Sequence, residues 1–318
     1  MTSRAALRRA RAVVFAYHNV GVRCLRVLLA HDVEVVLVVT HEDRADEAIW
    51  FDSVAAAARE NELPVAMPGD PNAPDFVARI KGLDPDFLFS FYYRQMLGEG
   101  LLGAAARGAY NMHGSLLPKY RGRVPVNWAV IRGERETGAT LHRMVAKPDA
   151  GAVVAQQAVP ILPDDTAGEV FAKVTVAAEI ALDRVLPQLL DGSAAHREQD
   201  LAAGSYFGGR GPEDGRIDWR QDAAAVHNLV RGVAPPYPGA LTTVAGRPAR
   251  VLRSRVLTGA APRPGEPGIY ADNLHLRADC GRGVLQILRL EIDGEPVDAA
   301  GLIARFGAGK ISFSLNSP

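Results

Sequence analysis

The chain has 318 residues, of which 48% are hydrophobic and 23% charged, a globular composition long enough for one large or two ordinary domains. Lys+Arg and Asp+Glu both number 36, so no net field draws the molecule toward nucleic acid or an anionic membrane, and an anionic partner must be held by local cations. Two distant cysteines without metal spacing, Cys24 and Cys280, exclude a disulfide framework and a zinc site and fit a reducing compartment.

Arg4, Arg8, Arg9 and Arg11 ahead of Val13-Val14-Phe15 imitate the start of a secretory leader. The apolar stretch fails at His18 and Asn19, and no later run approaches the roughly 20 apolar residues of a spanning helix. The expectation is a cytoplasmic protein without a membrane span. Val13–Ala16 predicts a strand, Tyr17–Gly21 a turn, and the spacing of Cys24, Leu25, Leu28 and Leu29 a helix. Val33–Val39 and Phe87–Phe91 are continuous apolar runs of the kind buried on both faces of a parallel sheet, and Val54–Arg59 between them reads as helix. Pro64 and Pro68 frame a short strand or loop. Thr140–Met144 and Ala152–Gln157 predict further strands, and Ala167–Leu190 a long helix that Pro187 should end or kink. Alternating strands and helices with short connections imply a Rossmann-like, doubly wound α/β sheet. Gly21 stands alone after the first strand, without the G-x-G-x-x-G fingerprint, which argues against a nicotinamide cofactor.

Past Gly192 the pattern changes. Six glycines and prolines between Gly204 and Gly215 form a linker, and one helix near Ala223–Val233 follows. Short apolar runs at Leu241–Val244, Ala249–Val256, Leu274–Leu276 and Val284–Leu290 then predict a smaller, β-rich, barrel-like domain. The expected division is a catalytic domain over 1–203 and a β-domain over 204–318.

Residues 111–123, Asn-Met-His-Gly-Ser-Leu-Leu-Pro-Lys-Tyr-Arg-Gly-Arg, pack an amide, an imidazole and three cations into one glycine-broken loop. Alternation across Met112 sends Asn111 and His113 to one face of an extended strand end, and two hydrogen-bond donors converging there suggest an oxyanion site. Ser115 is read as a loop-holding hydroxyl. Lys119, Arg121 and Arg123 suit either a diphosphate or solvent. Tyr237, among Pro235, Pro236 and Pro238, suits either stacking on a base or sugar or stiffening of a turn. His18, His142 and His227 have no metal-ligand spacing and no assigned role.

The motif Asn111-x-His113-x-Ser115-Leu116-Leu117-Pro118-x-Tyr120-Arg121-Gly122 resembles the signature of the formyltransferases that use 10-formyltetrahydrofolate. That family includes methionyl-tRNA, glycinamide ribonucleotide and sugar-nucleotide formyltransferases. The likeness extends over nearly the whole chain, through Val14–His18, Phe89–Arg94, Thr137–Val145, Asp149-Ala150-Gly151 and Tyr237–Ala240. It is nearest to the formyltransferase domain of the bifunctional polymyxin-resistance protein, which formylates UDP-4-amino-4-deoxy-L-arabinose in lipid A modification.

The resemblance implies an N-formyltransferase with 10-formyltetrahydrofolate as co-substrate and no metal. It carries Asn111 and His113 over as stabilisers of the formyl oxygen. Asp149 becomes the carboxylate that orients His113, raises its pKa and relays the amine's proton. It implies folate contacts at Gln95, Met96, Leu97, Arg123 and the run Val145, Ala146, Lys147, Pro148. Lys119, Tyr120, Arg121 and Tyr237 are the candidates for holding the acceptor, a nucleotide sugar.

Within the family the rivals are methionyl-tRNA formylation and formylation of another amino sugar or an amino-acid amine. From Pro212 to Pro318 there are 13 basic and 11 acidic residues and no Lys/Arg cluster to track an RNA backbone, which disfavours tRNA. A binding-only module would have no need of Asn111, His113 and Asp149 together. No second dinucleotide-binding signal follows, so the decarboxylation fused to the close relative is expected from a separate protein. No feature of the sequence sets an oligomeric state.

Overall fold

The computed structural model describes residues 8–43 and 49–313; Arg4 of the leader-like N-terminus lies outside them. The chain separates into two compact units. The first contains 1–125, 137–159 and 172–207, and the second 126–136, 160–171 and 208–318.

The strands of the α/β layer are β1 (Arg11–Ala16), β2 (Glu34–Val39), β3 (Val65–Ala66), β4 (Phe87–Phe91), β5 (Ala109–His113), β6 (Arg121–Gly122), β7 (Glu136–Arg143), β8 (Val153–Pro160) and β9 (Tyr206–Phe207). Seven of them form one sheet in the order β3-β2-β1-β4-β5-β7-β8, and β6 and β9 pair separately. From β3 to β5 the pairs are parallel, and β7 then runs antiparallel to β5. The order reverses between β1 and β4, and in open sheets of this kind the crevice for ligands lies beyond the carboxyl ends of the strands at such a point. Every residue of β4 is buried, as a strand covered on both faces requires.

Two expectations change here. The turn predicted at Tyr17–Gly21 is the first turn of the helix His18–Ala30, which begins directly after β1 because the Tyr17 N–H reaches across to the Phe91 carbonyl (3.0 Å). The long helix Ala167–Asp191 runs through Pro187 rather than stopping there. So near the helix end, the ring removes one internal hydrogen bond while the apolar face on either side stays packed. The helix Pro74–Gly82, opened by a proline at its first position, was not read from the pattern.

The second unit holds β10 (Ala240–Val244), β11 (Arg247–Leu257), β12 (Gly268–Asp272), β13 (His275–Asp279), β14 (Val284–Ile292), β15 (Glu295–Pro296) and β16 (Ile311–Ser312). They form an antiparallel half-barrel sheet in the order β10-β11-β14-β13-β12-β16, with β15 on the end of β14. Its core gathers Trp219, Val226, Val230, Val251, Leu285, Ile287 and Leu290. The expected helix is present at Ala223–Gly232, capped by Asp222, whose side chain accepts the Ala225 N–H at 2.9 Å. A second helix, Ala299–Phe306, corrects the expectation of a single one. Asp298 caps it by accepting the Gly301 N–H at 2.7 Å. Among the described residues, no helix is long and apolar enough to cross a membrane.

Candidate active site

Asn111 and His113 occupy the carboxyl end of β5, next to β4 on one side and β7 on the other. The β5–β7 register places His142 opposite Asn111 and Thr140 opposite His113. Asp149 follows β7 in a left-handed backbone conformation (φ 52°), which an aspartate tolerates better than most residues. Gln199 holds that conformation by donating to the carbonyls of Asp149 (2.9 Å) and Gly151.

The three residues assigned to chemistry come together. Asp149 Oδ1 lies 3.6 Å from His113 Nδ1 and 3.5 Å from His142 Nε2, while its Oδ2 accepts the Gly122 N–H at 2.8 Å. Gly122 has φ 98°, and a Cβ there would run into the Phe207 carbonyl, so this donor needs glycine. Asn111 Nδ2 is 3.1 Å from His142 Nε2. His142, which has no role assigned from sequence, thus lies in contact with two of the three candidate residues. Its signal was its position two residues past Thr140 on the strand that pairs with Asn111.

His113 has both ring nitrogens engaged. Nε2 is 2.8 Å from the Tyr120 carbonyl, which only an N–H can satisfy, and Nδ1 faces Asp149. Burial pushes the His113 pKa down. The carboxylate of Asp149 and the bond to Tyr120 push it up, His142 pushes it further down, and the net direction is below the ordinary histidine value. The expected upward pull of Asp149 is present, but the cost of burying a cation exceeds it, so the resting imidazole is neutral. Burial would raise the Asp149 carboxyl as well. His113, His142 and the Gly122 N–H together overcome that cost and hold it well below the usual carboxylate range.

The loop after β5 is a framework of its own. Ser115 Oγ donates to the Lys119 carbonyl (2.6 Å), Thr140 Oγ1 donates to the Ser115 carbonyl (2.6 Å), and Gln156 Nε2 donates to the Leu117 carbonyl (2.8 Å). Gly114 leaves room for the Tyr92 hydroxyl, which a Cβ would meet.

The acceptor candidates divide by exposure. Lys119 is exposed, Tyr120 is buried and stacked on Phe207 at 5.2 Å, and Arg121 is buried with Nη2 donating to the Leu201 carbonyl (3.1 Å). Tyr237 belongs to the second unit, where its hydroxyl bonds to the Asn127 side chain and burial pushes its pKa up. Of the folate candidates, Gln95 donates to the Gly69 carbonyl (2.9 Å), Leu97 is a core residue, and Met96 stands 61% exposed. Val145, Ala146, Lys147 and Pro148 form an exposed run between β7 and Asp149, and Arg123 is exposed beside β6. No group of three or more metal-ligating side chains occurs among the described residues.

Residues 24–186 match the family model described as formyl transferase, and residues 211–307 match that of the formyl transferase C-terminal domain. Solved structures share the fold at low identity. The N-formyltransferase from Helicobacter canadensis, in complex with folinic acid and dTDP-3-aminofucose, superposes with a TM-score of 0.70 at 17% identity, over 88% of this chain and 98% of that one. WlaRD, a sugar 3N-formyltransferase solved with dTDP and 5-N-formyl-THF, gives 0.68 at 17% identity, over 87% and 97%. HypX from Aquifex aeolicus, in complex with tetrahydrofolic acid, gives 0.62 at 17% identity, over 97% of this chain and 51% of that one. With one match covering more than half of the chain and a second over the β-domain, the chain belongs to the formyl transferase family.

Proposed function

We propose that this protein transfers the formyl group of 10-formyltetrahydrofolate to the amine of a nucleotide sugar, a UDP-linked 4-amino sugar of the 4-amino-4-deoxy-L-arabinose kind. The observation that carries the reading is the convergence of Asn111, His113 and Asp149 at the end of β5 in a member of the formyl transferase family. The N-formyltransferase holding folinic acid and dTDP-3-aminofucose, and the sugar 3N-formyltransferase holding dTDP and 5-N-formyl-THF, support the class of donor and acceptor. The sequence likeness over Phe89–Arg94 and Thr137–Val145 supports the particular sugar. The residues fit the donor: Met96 and Val145 expose apolar side chains in the same unit as the catalytic trio, suited to a flat ring, and the run 145–148 offers its backbone to polar ring edges.

The folate supplies an activated formyl carbon whose oxygen becomes negative as the amine attacks. Asn111 carries a second Nδ2–H beyond the one directed at His142, and it is the fixed donor for that oxygen. His113 shares its Nε2–H between the Tyr120 carbonyl and the same oxygen. As negative charge grows, Asp149 beside Nδ1 favours there the proton that the attacking amine releases, turning a neutral ring into the stronger, cationic donor. The ionised Asp149 draws that proton through water from the amine to the histidine pair, and it passes to the folate N10 as the C–N10 bond breaks and tetrahydrofolate leaves. Preorganised donors of this kind are each worth about 100- to 1000-fold in rate.

The test is incubation with 10-formyltetrahydrofolate and UDP-4-amino-4-deoxy-L-arabinose, dTDP-amino sugars, amino acids and Met-tRNA, read by mass. The reading expects a formyl gain on the UDP sugar. A gain on the tRNA alone would sink it.

A further inference from the structure

We infer that His142 is a positioning residue for formyl transfer, one that fixes the amide of Asn111 by accepting one of its two Nδ2–H groups and leaves the other as the donor to the formyl oxygen. The inference rests on the proposed role of Asn111. Four observations carry it. His142 Nδ1 lies 2.9 Å from the Arg143 carbonyl, an acceptor, so the ring proton belongs on Nδ1. Asn111 Nδ2, 3.1 Å from Nε2, has only N–H groups to offer, so Nε2 is the acceptor of that contact. With Oδ1 turned to this place instead, the amide would set one lone pair against another. The His142 side chain is 2% exposed and stands opposite Asn111 in the β5–β7 register, so neither partner can drift without disturbing the sheet.

Asp149 Oδ1 is 3.5 Å from His142 Nε2, farther than Asn111 Nδ2 at 3.1 Å, so the amide is the nearer partner of that nitrogen; the same oxygen is 3.6 Å from His113 Nδ1. One carboxylate thereby borders both histidines. His142 touches neither folate nor amine in this account. It works through Asn111, as outer-shell partners orient the groups that do touch a reacting atom.

The test is a mutant cycle on the full chain with His142→Gln, His142→Asn, Asn111→Ala and Asn111→Ala/His142→Asn. Glutamine can place an oxygen where Nε2 stood, whereas asparagine is too short. His142→Asn should lower kcat about 10- to 100-fold, part of what losing a donor outright costs, with KM for the folate within about twofold. His142→Gln should restore kcat to within about fivefold of wild type. The double variant should be no slower than Asn111→Ala, because groups acting as one unit are not additive. Losses that multiply in the double variant, or a glutamine variant as slow as the asparagine one, overturn the proposal.

A readout without turnover separates it from the functional reading. The side-chain NH2 pair of Asn111 in a 15N spectrum, assigned by its loss in Asn111→Ala, should change in His142→Asn and stay near its wild-type position in His142→Gln. An unchanged pair in His142→Asn contradicts the inference even if the wild type formylates no amine tried.

Discussion

The histidine at the centre of the proposed site is also the one whose pKa the sequence places on the wrong side of its ordinary value. Asp149 is expected to raise the His113 pKa, yet burial outweighs it and sets the pKa below the ordinary histidine value. Replacing it by asparagine keeps a donor but not one that becomes charged. The expected outcome is a kcat loss of about 100- to 1000-fold with little change in folate binding, measured by steady-state transfer and by folate titration. Asp149→Asn should slow transfer as well, and a wild-type rate in that variant would remove the carboxylate from the mechanism. At this scale the motif exposed Asn111 and His113 directly, since they lie two residues apart on one strand. His142 stayed hidden because its meaning depends on which strand pairs with β5, and no local pattern states that. Tyr120 and Arg121 also have partners within the protein: Tyr120 stacks on Phe207, and Arg121 Nη2 donates to the Leu201 carbonyl while its buried Nε has no hydrogen-bond partner.

At the scale of elements, the framework behind β5 depends on a few backbone positions. Gly122 supplies the N–H that holds Asp149 Oδ2, at a φ of 98° and against the Phe207 carbonyl. Gly122→Ala is therefore expected to cost more than the roughly 1–2 kcal/mol of an alanine in a left-handed conformation, and to lower activity by loosening Asp149. Urea unfolding and transfer rates check the two effects, and a variant with both unchanged contradicts the role. The strands were legible wherever the apolar run was continuous and buried on both faces, as at Phe87–Phe91. The helices Pro74–Gly82 and Ala299–Phe306 were not, because each buries only two residues of its own and tertiary packing rather than periodicity specifies it. A proline within five residues of a helix end proved a weak stop signal at Pro187.

Across the whole molecule, buried titratable groups tie stability to pH. His113 and His227 both have folded-state pKa values lowered chiefly by burial; for His227 the Pro163 carbonyl and Asp164 oppose this, while Arg231 and Arg255 add to it. An unfolded histidine titrates near about 6.5, so below that pH the unfolded chain binds protons that the folded one does not. Stability should fall as pH drops from about 7 to about 5, seen as a declining Tm, and His227→Asn should flatten the decline. A Tm independent of pH over that window would contradict this. At the other end, burial raises both thiols, Cys280 up to about 12, and neither should react with a disulfide reagent at neutral pH until the protein unfolds. An α/β layer followed by a smaller β-domain was readable from the change of pattern past Gly192. The inclusion of 126–136 and 160–171 in the second unit was not, since those segments lie inside the first stretch of sequence.

The most direct measurement of the central claim is transfer of an isotopically labelled formyl group from 10-formyltetrahydrofolate to UDP-4-amino-4-deoxy-L-arabinose, by wild type and by Asn111→Ala and His113→Asn. Label is expected on the sugar amine with wild type, with a loss of about 100-fold or more in each variant. Label on the sugar at equal rates in all three would contradict it.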